Sequence, residues 1–276
     1  MKMEKVLIII VLILGLNPLC SIAQSENKYG NKKEKYVANN LNYRDKNKLL
    51  KNKNKIKSLF IEYYNDSIFP NDFILQFTNL EELVVRSKID FSRYKYLKIK
   101  EFEFLRIDTA KLKNIKYIKN LIIDGFNFGK FPVELSILSN LTSLSIHYTT
   151  LDSIPKEIVL FNHLKELNLI ANCIVHVDSA ICELQYLSSL NLAHNKLTSI
   201  PPALVKAIQI KDIDIGNGHG PISLFNYNHI NFYDNNEVDK LRAMLYHSNV
   251  VIFLSDCNES NYVRQRLEPE LFKKLI

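Results

Sequence analysis

Residues 164–174 read LKELNLIANCI, and residues 187–197, which begin 23 positions later, read LSSLNLAHNKL. Both stretches hold apolar residues at the first, fourth, sixth and eleventh positions and Asn at the ninth. Residues two apart in a β-strand lie on the same face, so the fourth and sixth side chains point the same way. The pattern predicts a short strand that buries one face and recurs along the chain.

The same spacing of apolar residues recurs at eight starting points. They are Ile56, Leu80, Ile99, Ile118, Leu141, Leu164, Leu187 and Ile210, and each is followed by an apolar residue three and five positions later. Successive starts lie 24, 19, 19, 23, 23, 23 and 23 residues apart. A unit of this size cannot bury its apolar row alone, so neighbouring units must stack. The 19-residue spacings predict extended chain or tight turns, rather than helices, on the outer side of the N-terminal turns.

This LxxLxLxx pattern resembles the leucine-rich repeat family, in its secreted bacterial type with 23-residue repeats and an Ile-Pro element such as Ile154-Pro155. The resemblance covers about residues 43–255. It implies an α/β fold, a right-handed solenoid (horseshoe) with one parallel β-sheet on the concave face. In the family, an Asn at the strand exit hydrogen-bonds backbone groups of neighbouring turns. Here Asn172 and Asn195 hold that position, whereas Tyr64, Lys88, Ile107, Phe126, Thr149 and Gly218 hold it elsewhere.

The N-terminus reads as an export signal. Lys2 and Lys5 precede an apolar run over residues 6–16, and Ser21-Ile22-Ala23 is typical of a cleavage site. A membrane anchor is the alternative, but the run is shorter than the ~20 residues that span a bilayer. Lipidation of Cys20 is disfavoured by the bulky Leu19 before it. We therefore expect a secreted or periplasmic protein with no transmembrane segment after signal cleavage.

The remaining chain divides by composition and periodicity. The predicted segments are a signal peptide at 1–23, a basic flexible leader at 24–42, an N-terminal helical cap at 43–55, about eight repeat turns at 56–230, a cap helix and strand at 231–256 and a tail at 257–276. Residues 24–58 carry eleven basic and three acidic side chains. This segment is either a solvated leader or a weak contact with an anionic envelope surface. We expect no nucleic-acid partner for an exported protein.

Outward-facing strand residues define a candidate binding surface on the concave face, strongest in its N-terminal half. Apolar and charged residues mix there, and Tyr and Arg are favoured in binding hot spots. The alternative is ordinary surface, since single exposed apolar residues are common. The predicted partner-binding residues are Phe60, Glu62, Tyr63, Val84, Arg86, Glu103, Leu105, Arg106, Ile122, Asp124, His147 and Tyr148.

Catalytic and metal chemistry find little support. Glu166 and Asp212 lie two turns apart, about 10 Å by the strand spacing, which exceeds most glycosidase carboxylate separations. A row of Asn168, Asn191 and Asp214 could bind a cation through oxygens, but a hydrogen-bonded polar ladder is the simpler interpretation. The cysteines left after signal cleavage, Cys173, Cys182 and Cys257, form no CxxC pair. They predict neither a zinc site nor a disulfide framework, and a Cys173–Cys182 bridge has no supporting pattern.

The sequence thus predicts a non-enzymatic scaffold that recognises a protein or peptide through the concave face, with no catalytic, cofactor or metal residues. The alternative is an envelope-associated structural or adhesive protein that binds anionic polymer or lipid through its basic N-terminal segment.

Overall fold

A computed structural model describes residues 7–8, 35–36, 47, 49–63, 71–87, 113–125, 130–216, 228–247, 251–254, 263 and 265–275. Most of its strands belong to one parallel sheet. In chain order they are β1 (Leu7–Ile8), β2 (Lys35–Tyr36), β3 (Ser58–Tyr63), β4 (Glu82–Ser87), β5 (Asn120–Asp124), β6 (Ser143–His147), β7 (Ser153–Ile154), β8 (Glu166–Asn168), β9 (His176–Val177), β10 (Ser189–Asn191), β11 (Asp212–Asp214) and β12 (Val251–Phe253).

The ten-stranded sheet has the order β12-β11-β10-β8-β6-β5-β4-β3-β1-β2, and β7 pairs with β9 in a separate two-stranded sheet. Every pairing is parallel. From β3 to β12 the strands follow one another across the sheet in chain order, as expected when each turn of a solenoid adds one strand. This arrangement confirms the predicted α/β solenoid with one parallel sheet. β1 lies within the predicted signal peptide, whose cleavage stays a prediction.

Short helices line the opposite side of the turns. They comprise the α-helices α1 (Asn71–Ile74), α2 (Pro202–Lys206) and α3 (Asn235–His247), and 3-10 helices at Lys113–Ile115, Val133–Ile137, Lys156–Leu160, Ser179–Glu183 and Pro269–Lys274. Pro132, Pro155 and Pro201 stand directly before three of them. A proline suits a helix start because its missing N–H would have no helical acceptor there. In the intervening turn Asp178 takes this place, and its side chain accepts from the backbone N of Ala180 at 2.9 Å.

The core consists of the apolar positions of the repeat. Leu164, Leu167, Leu169 and Ile174 are each at most 1% exposed, and corresponding residues of the neighbouring turns stack on them. Aromatic pairs fill the wider spaces, such as Phe131 and Phe161, whose rings meet edge to face at 5.7 Å. Truncating a buried leucine in such a core typically costs about 2–5 kcal/mol of folding free energy.

One predicted strand is not in its expected place. The sequence places a turn starting at Ile99 between the turns of Leu80 and Ile118, but β4 pairs directly with β5, with Glu82 opposite Asn120. Leucine-rich repeats need about 20–29 residues per turn, and each of the two predicted 19-residue turns falls short of this length. The chain instead makes one step of 38 residues between adjacent strands. Residues 88–112 lie outside the described part of the chain.

A ladder of buried asparagines holds the turns at the strand exits. The amide of Asn172 donates to the carbonyls of Ile146 and Leu169 at 2.8 and 2.9 Å. Asn195 repeats this one turn later, donating to Leu169 and Leu192 at 3.0 and 2.9 Å. Both asparagines are fully buried. These bonds satisfy backbone carbonyls that would otherwise be buried without a partner.

The ladder continues at a residue that the periodicity does not reveal. The side-chain amide of Asn228 donates to the carbonyls of Leu192 and Ile215 at 3.0 and 2.8 Å. Its side-chain oxygen accepts from the backbone N of Leu197 at 3.0 Å. The sequence assigned this position to Gly218, ten residues earlier. Extra chain therefore enters after Gly216, and Asn228 resumes the repeat. At the other end of the ladder, Thr149 donates its hydroxyl to the side-chain oxygen of Asn172.

The chain leaves four successive strands through a left-handed residue. Gly125, Tyr148, Ala171 and His194 have φ of 81°, 51°, 58° and 55°. Glycine adopts this conformation freely, whereas other residues pay about 1–2 kcal/mol for it. The recurrence at one position of each turn shows that the solenoid geometry imposes the conformation on whichever residue stands there.

Both ends of the core are covered. At the N-terminal end the helical residue Leu49 is buried. At the other end Glu237, on α3, accepts from the backbone N of Ile200 at 2.6 Å and pairs with Lys240 at 2.7 Å. Packing continues beyond the predicted cap, because Leu271 and Leu275 are buried and Leu275 bridges to Ile252. In the described part of the chain, no helix combines the length and hydrophobicity needed to cross a bilayer.

Candidate binding face

The strand registers show which predicted contact residues are neighbours on the concave face, the side of the sheet opposite the core. Phe60 pairs with Val84, and Val84 pairs directly with Ile122. The side chains of Val84 and Ile122 are half-buried. Glu103, predicted to separate them, lies outside the described residues, and its strand is not between β4 and β5. Three apolar positions therefore form one uninterrupted row.

A second row, two residues further along each strand, alternates in charge. Glu62 pairs with Arg86, Arg86 with Asp124, and Asp124 with His147. The sequence placed Leu105 between Arg86 and Asp124, but the direct pairing of β4 with β5 puts these two residues opposite each other in the strand register. Asp124 is only 7% exposed, so it offers little surface to a partner.

The three residues predicted to flank the two rows are Tyr63, Arg106 and Tyr148, and they differ in what the structure shows of them. Tyr63 ends β3 opposite Ser87. Tyr148 is 4% exposed, and its ring meets that of His147 edge to face at 6.5 Å. It follows β6 directly, in the left-handed backbone conformation, so little of it is accessible to a partner. Arg106 lies outside the described residues.

The C-terminal half of the concave face is polar, and its side-chain oxygens accept hydrogen bonds from the backbone. Asn168, Asn191 and Asp214 share one row, and their side chains accept from the backbone N two residues on, at 3.2, 2.9 and 3.0 Å. Each member of the row is thus hydrogen-bonded within its own turn, and these bonds do not link one turn to the next. Burial raises the pKa of Asp214, and the bond from the backbone N of Gly216 acts against that rise. Among the described residues, no group of three His, Cys, Asp or Glu side chains is placed to hold a metal.

The carboxylates considered for catalysis stay apart. Ser189 pairs with both Glu166 and Asp212, so two strand spacings, about 10 Å, separate them. Glu166 accepts a hydrogen bond from Ser143 at 3.0 Å. No disulfide joins Cys173 to Cys182. Burial raises the pKa of Cys182, whose sulfur lies 3.3 Å from the carbonyl of Ala203, so this thiol is a poor nucleophile.

Sequence reasoning found most members of the two rows but not their adjacency. The pairing of Val84 with Ile122, and of Arg86 with Asp124, in the strand register follows from the 38-residue step between strands. The local sequence pattern carried no signal that decides between a strand at Ile99 and a direct pairing of β4 with β5, because neither 19 nor 38 residues is a usual length for one turn.

Comparison with known proteins gives the same picture of the fold. Residues 139–197 match the family model described as leucine rich repeat. A leucine-rich-repeat protein of Leptospira interrogans is similar in structure at 17% identity and a TM-score of 0.50, over 75% of this chain and 53% of that one. This chain thus spans about half the length of that protein.

A second solved structure is the leucine-rich-repeat ectodomain of a membrane receptor kinase of Arabidopsis thaliana, in complex with Casparian strip integrity factor 2. It is 20% identical, with a TM-score of 0.41, over 59% of this chain and 18% of that one. No curated protein matches the chain in sequence. In total 246 solved chains match it in structure, and a fold this widespread does not by itself name a ligand.

Proposed function

We propose that this leucine-rich-repeat protein is a non-enzymatic scaffold that binds a protein or peptide partner through the N-terminal half of its concave face. The observation that carries the proposal is the unbroken row of Phe60, Val84 and Ile122, which lies beside the charged row of Glu62, Arg86, Asp124 and His147.

This arrangement has the composition of a protein-recognition surface. Three apolar positions at the strand spacing of about 4.8 Å make a patch about 10 Å long. Binding energy at such surfaces comes from a small apolar centre, while the polar surroundings select the partner. Glu62 and Arg86 add charged positions beside the patch, so a partner must match its charge as well as its shape.

The two halves of the concave face support this assignment differently. In the C-terminal half, the oxygens of Asn168, Asn191 and Asp214 are engaged by the backbone of their own turns. In the N-terminal half, Val84 and Ile122 leave part of their apolar surface exposed to solvent. A partner that covers this surface gains roughly 25 cal/mol for each Å² of apolar area buried.

The proposed setting is outside the cytoplasm. The basic start, apolar run and small-residue site of residues 1–23 support export to the periplasm or the medium. A cleaved signal predicts that the purified exported protein begins at Gln24, which N-terminal sequencing tests directly.

The binding proposal is tested by affinity capture from envelope and culture extracts of the producing cells. Wild type is compared with a double variant, Val84→Glu with Ile122→Glu, which places charge in the apolar row. We expect one protein to be enriched by wild type and reduced at least tenfold by the variant, since a buried unpaired charge costs several kcal/mol.

The matched control is Leu160→Glu with Val175→Glu. Both residues are exposed apolar side chains, at 52% and 59%, and neither lies on a strand of the ten-stranded sheet. The control should capture the partner as wild type does. Equal loss in both variants, or loss in neither, would contradict recognition by the concave face.

A further inference from the structure

A second surface of the molecule lies at the edge of the sheet where the chain enters its strands. Three successive turns meet there, at residues 51–58, 78–82 and 114–120. The side chain of Asn79 donates to the carbonyl of Asn54 at 2.7 Å. The backbone N of Glu81 donates to Lys57, and that of Lys119 donates to Glu81, both at 2.7 Å. These bonds fix the three turns side by side.

The direct pairing of β4 with β5 concentrates lysines at this edge. With the turn that the sequence predicted in between, residues 116–119 would lie one strand further from Lys57. Instead, Glu81 accepts from Lys57 on one side and from Lys119 on the other, the latter at 3.1 Å. Both lysines lower the pKa of Glu81 through these hydrogen bonds, which keeps it charged. One carboxylate therefore holds two lysines of non-adjacent turns.

The charge of this edge is strongly positive. The six lysines that the structure describes in the three turns are Lys51, Lys53, Lys55, Lys57, Lys116 and Lys119. The described carboxylates of these turns are Glu81 and Glu82, and Glu82 is engaged by the hydroxyl of Ser58. The lysines thus exceed the carboxylates by four. Lys51, Lys55 and Lys116 are exposed to solvent.

An exposed aromatic side chain stands among these lysines. Tyr117 is 48% exposed, and the ammonium of Lys116 lies 5.2 Å from the centre of its ring. Tyrosine has an apolar ring and a polar hydroxyl, so it is favoured where water meets lipid headgroups. A lysine cluster with one exposed tyrosine distinguishes this edge from the concave face, whose second row contains both acidic and basic residues.

We propose that this strand-entry edge, formed by Lys51, Lys53, Lys55, Lys116 and Tyr117, binds an anionic lipid surface. Lysines are point charges on flexible stems, which suit a fluid layer of phosphate headgroups better than one fixed bidentate ligand. Clusters of four to eight basic residues bind anionic membranes, with about tenfold or less gained for each lysine near the surface.

Lipid is favoured over a soluble anionic polymer for two reasons. The edge consists of chain turns that lie side by side, so their exposed side chains reach one surface together. Tyr117 then has a place in the headgroup region that a hydrated polymer lacks. The proposal concerns a different face from the concave binding site, so either can fail without the other.

The test is co-sedimentation with phosphatidylcholine vesicles that do or do not contain phosphatidylglycerol. The readout is the ratio of anionic to neutral partitioning, because residues 24–50 are the same in every variant and their contribution cancels in a comparison of variants. The edge variant is Lys55→Gln, Lys116→Gln and Tyr117→Ser. We expect its ratio to fall roughly ten- to a hundredfold at low salt, and the wild-type ratio to fall as salt rises.

The matched control is Lys156→Gln, Lys206→Gln and Tyr186→Ser, which removes the same charge and one exposed tyrosine from other turns. Its ratio should equal that of wild type. Equal ratios for the edge variant and wild type would overturn the proposal. So would binding of wild type to soluble dextran sulfate without binding to anionic vesicles. All substituted side chains are exposed, and matching thermal unfolding of the three proteins verifies that each is folded.

Discussion

The turns between residues 130 and 216 are regular, whereas the turns between residues 49 and 125 are not. In the regular region the paired residues Ser143, Glu166, Ser189 and Asp212 follow one another at 23-residue steps. In the irregular region the steps are 24 and 38 residues. The side chains of Asn172 and Asn195 hydrogen-bond neighbouring regular turns to each other. In the irregular turns, other residues stand at this ladder position.

The difference shows that the two regions use their polar side chains in different ways, and it is the basis of the proposed binding role of the irregular region. In the regular region, polar side chains form hydrogen bonds with the backbone, both in the buried asparagine ladder and at Asn168 and Asn191 on the concave face. The irregular region presents the apolar row of Val84 and Ile122 and the lysine-rich edge. A solenoid is stabilised by each turn and its neighbours, so regular turns can support irregular ones beside them.

The largest effect should come from removing a ladder residue. Asn195→Ala removes four hydrogen bonds to backbone groups, those to the carbonyls of Leu169, Leu192 and Ala193 and the one from the backbone N of Ile174. Leu169 and Leu192 each keep a donor in another asparagine of the ladder, whereas the N–H of Ile174 loses its side-chain acceptor. We expect a loss of about 3–5 kcal/mol in the free energy of unfolding, from four lost bonds and the cavity that the buried amide leaves. Urea denaturation followed by circular dichroism measures it.

The control for Asn195 is Asn191→Ala on the concave face. Asn191 is half-buried, and its side chain accepts one bond, from the backbone N of Ala193 at 2.9 Å. We expect a loss below about 1 kcal/mol. If the two alanine variants lose equal stability, the ladder is not what distinguishes the regular turns.

A smaller but still large effect is expected at Asn228, where the ladder resumes after extra chain. Asn228→Ala removes three bonds to buried backbone groups, and we expect a loss of about 2–4 kcal/mol. The exposed Asn231, whose side chain accepts from the backbone N of Tyr233, is the control. A loss at Asn228 no greater than at Asn231 would show that the regular ladder ends at Asn195.

The two regions contain carboxyl groups whose pKa values shift in opposite directions, so pH should affect the stability contributed by each group in opposite ways. Burial raises the pKa of Asp214 above its unfolded value of 3.8, so charged Asp214 reduces stability, and this cost appears as pH rises from 3.8 through the folded pKa. Asp214→Asn should therefore increase stability at neutral pH by about 0.5–1 kcal/mol, and the gain should vanish below pH 3.8. Unfolding at a series of pH values tests it, and a gain that persists in acid would contradict the titration of this carboxyl.

Glu81 in the irregular region has the opposite sign. Lys57 and Lys119 lower its pKa below 4.5, so its contribution is present above pH 4.5 and is lost as pH falls through the folded pKa. Glu81→Gln should cost at most about 1 kcal/mol at neutral pH, as is usual for partly exposed ion pairs. Its stability should approach that of wild type in acid. An unchanged difference in acid would exclude the lysine contacts as its origin.

The smallest effect is expected from the strand exits of the regular region. Ala171 has φ of 58°, which costs an alanine about 1–2 kcal/mol, partly offset by the entropy that a glycine would lose on folding. Ala171→Gly should therefore stabilise the protein by about 0.5 kcal/mol. Ala193→Gly is the control, since its φ is not positive, and it should destabilise. Destabilisation by both substitutions would contradict a strained exit.

The sequence predicts the parallel sheet and the residues that form its core, because a buried strand face requires apolar side chains at fixed spacing. It predicts less well where the fold breaks its own period. Asn228 was missed since extra residues separate it from the preceding turn. The low exposure of Tyr148 was not foreseen, although alternation from the inward Leu144 and Ile146 points residue 148 to the same side. Val84 and Ile122 are adjacent because β4 pairs with β5 and not with the strand predicted after Ile99. The local sequence pattern does not decide between these two pairings.

The central claim is that partner recognition belongs to the irregular half of the concave face. The direct test introduces a photo-activated cross-linking residue at Ile122, at Asn191 in the regular half, or at Leu160 outside the sheet, and exposes each variant to light in extracts of the producing cells. The account predicts one discrete adduct from position 122 and none from 160, with little or none from 191. An adduct of the same partner from 191 or 160 but not from 122 would contradict it.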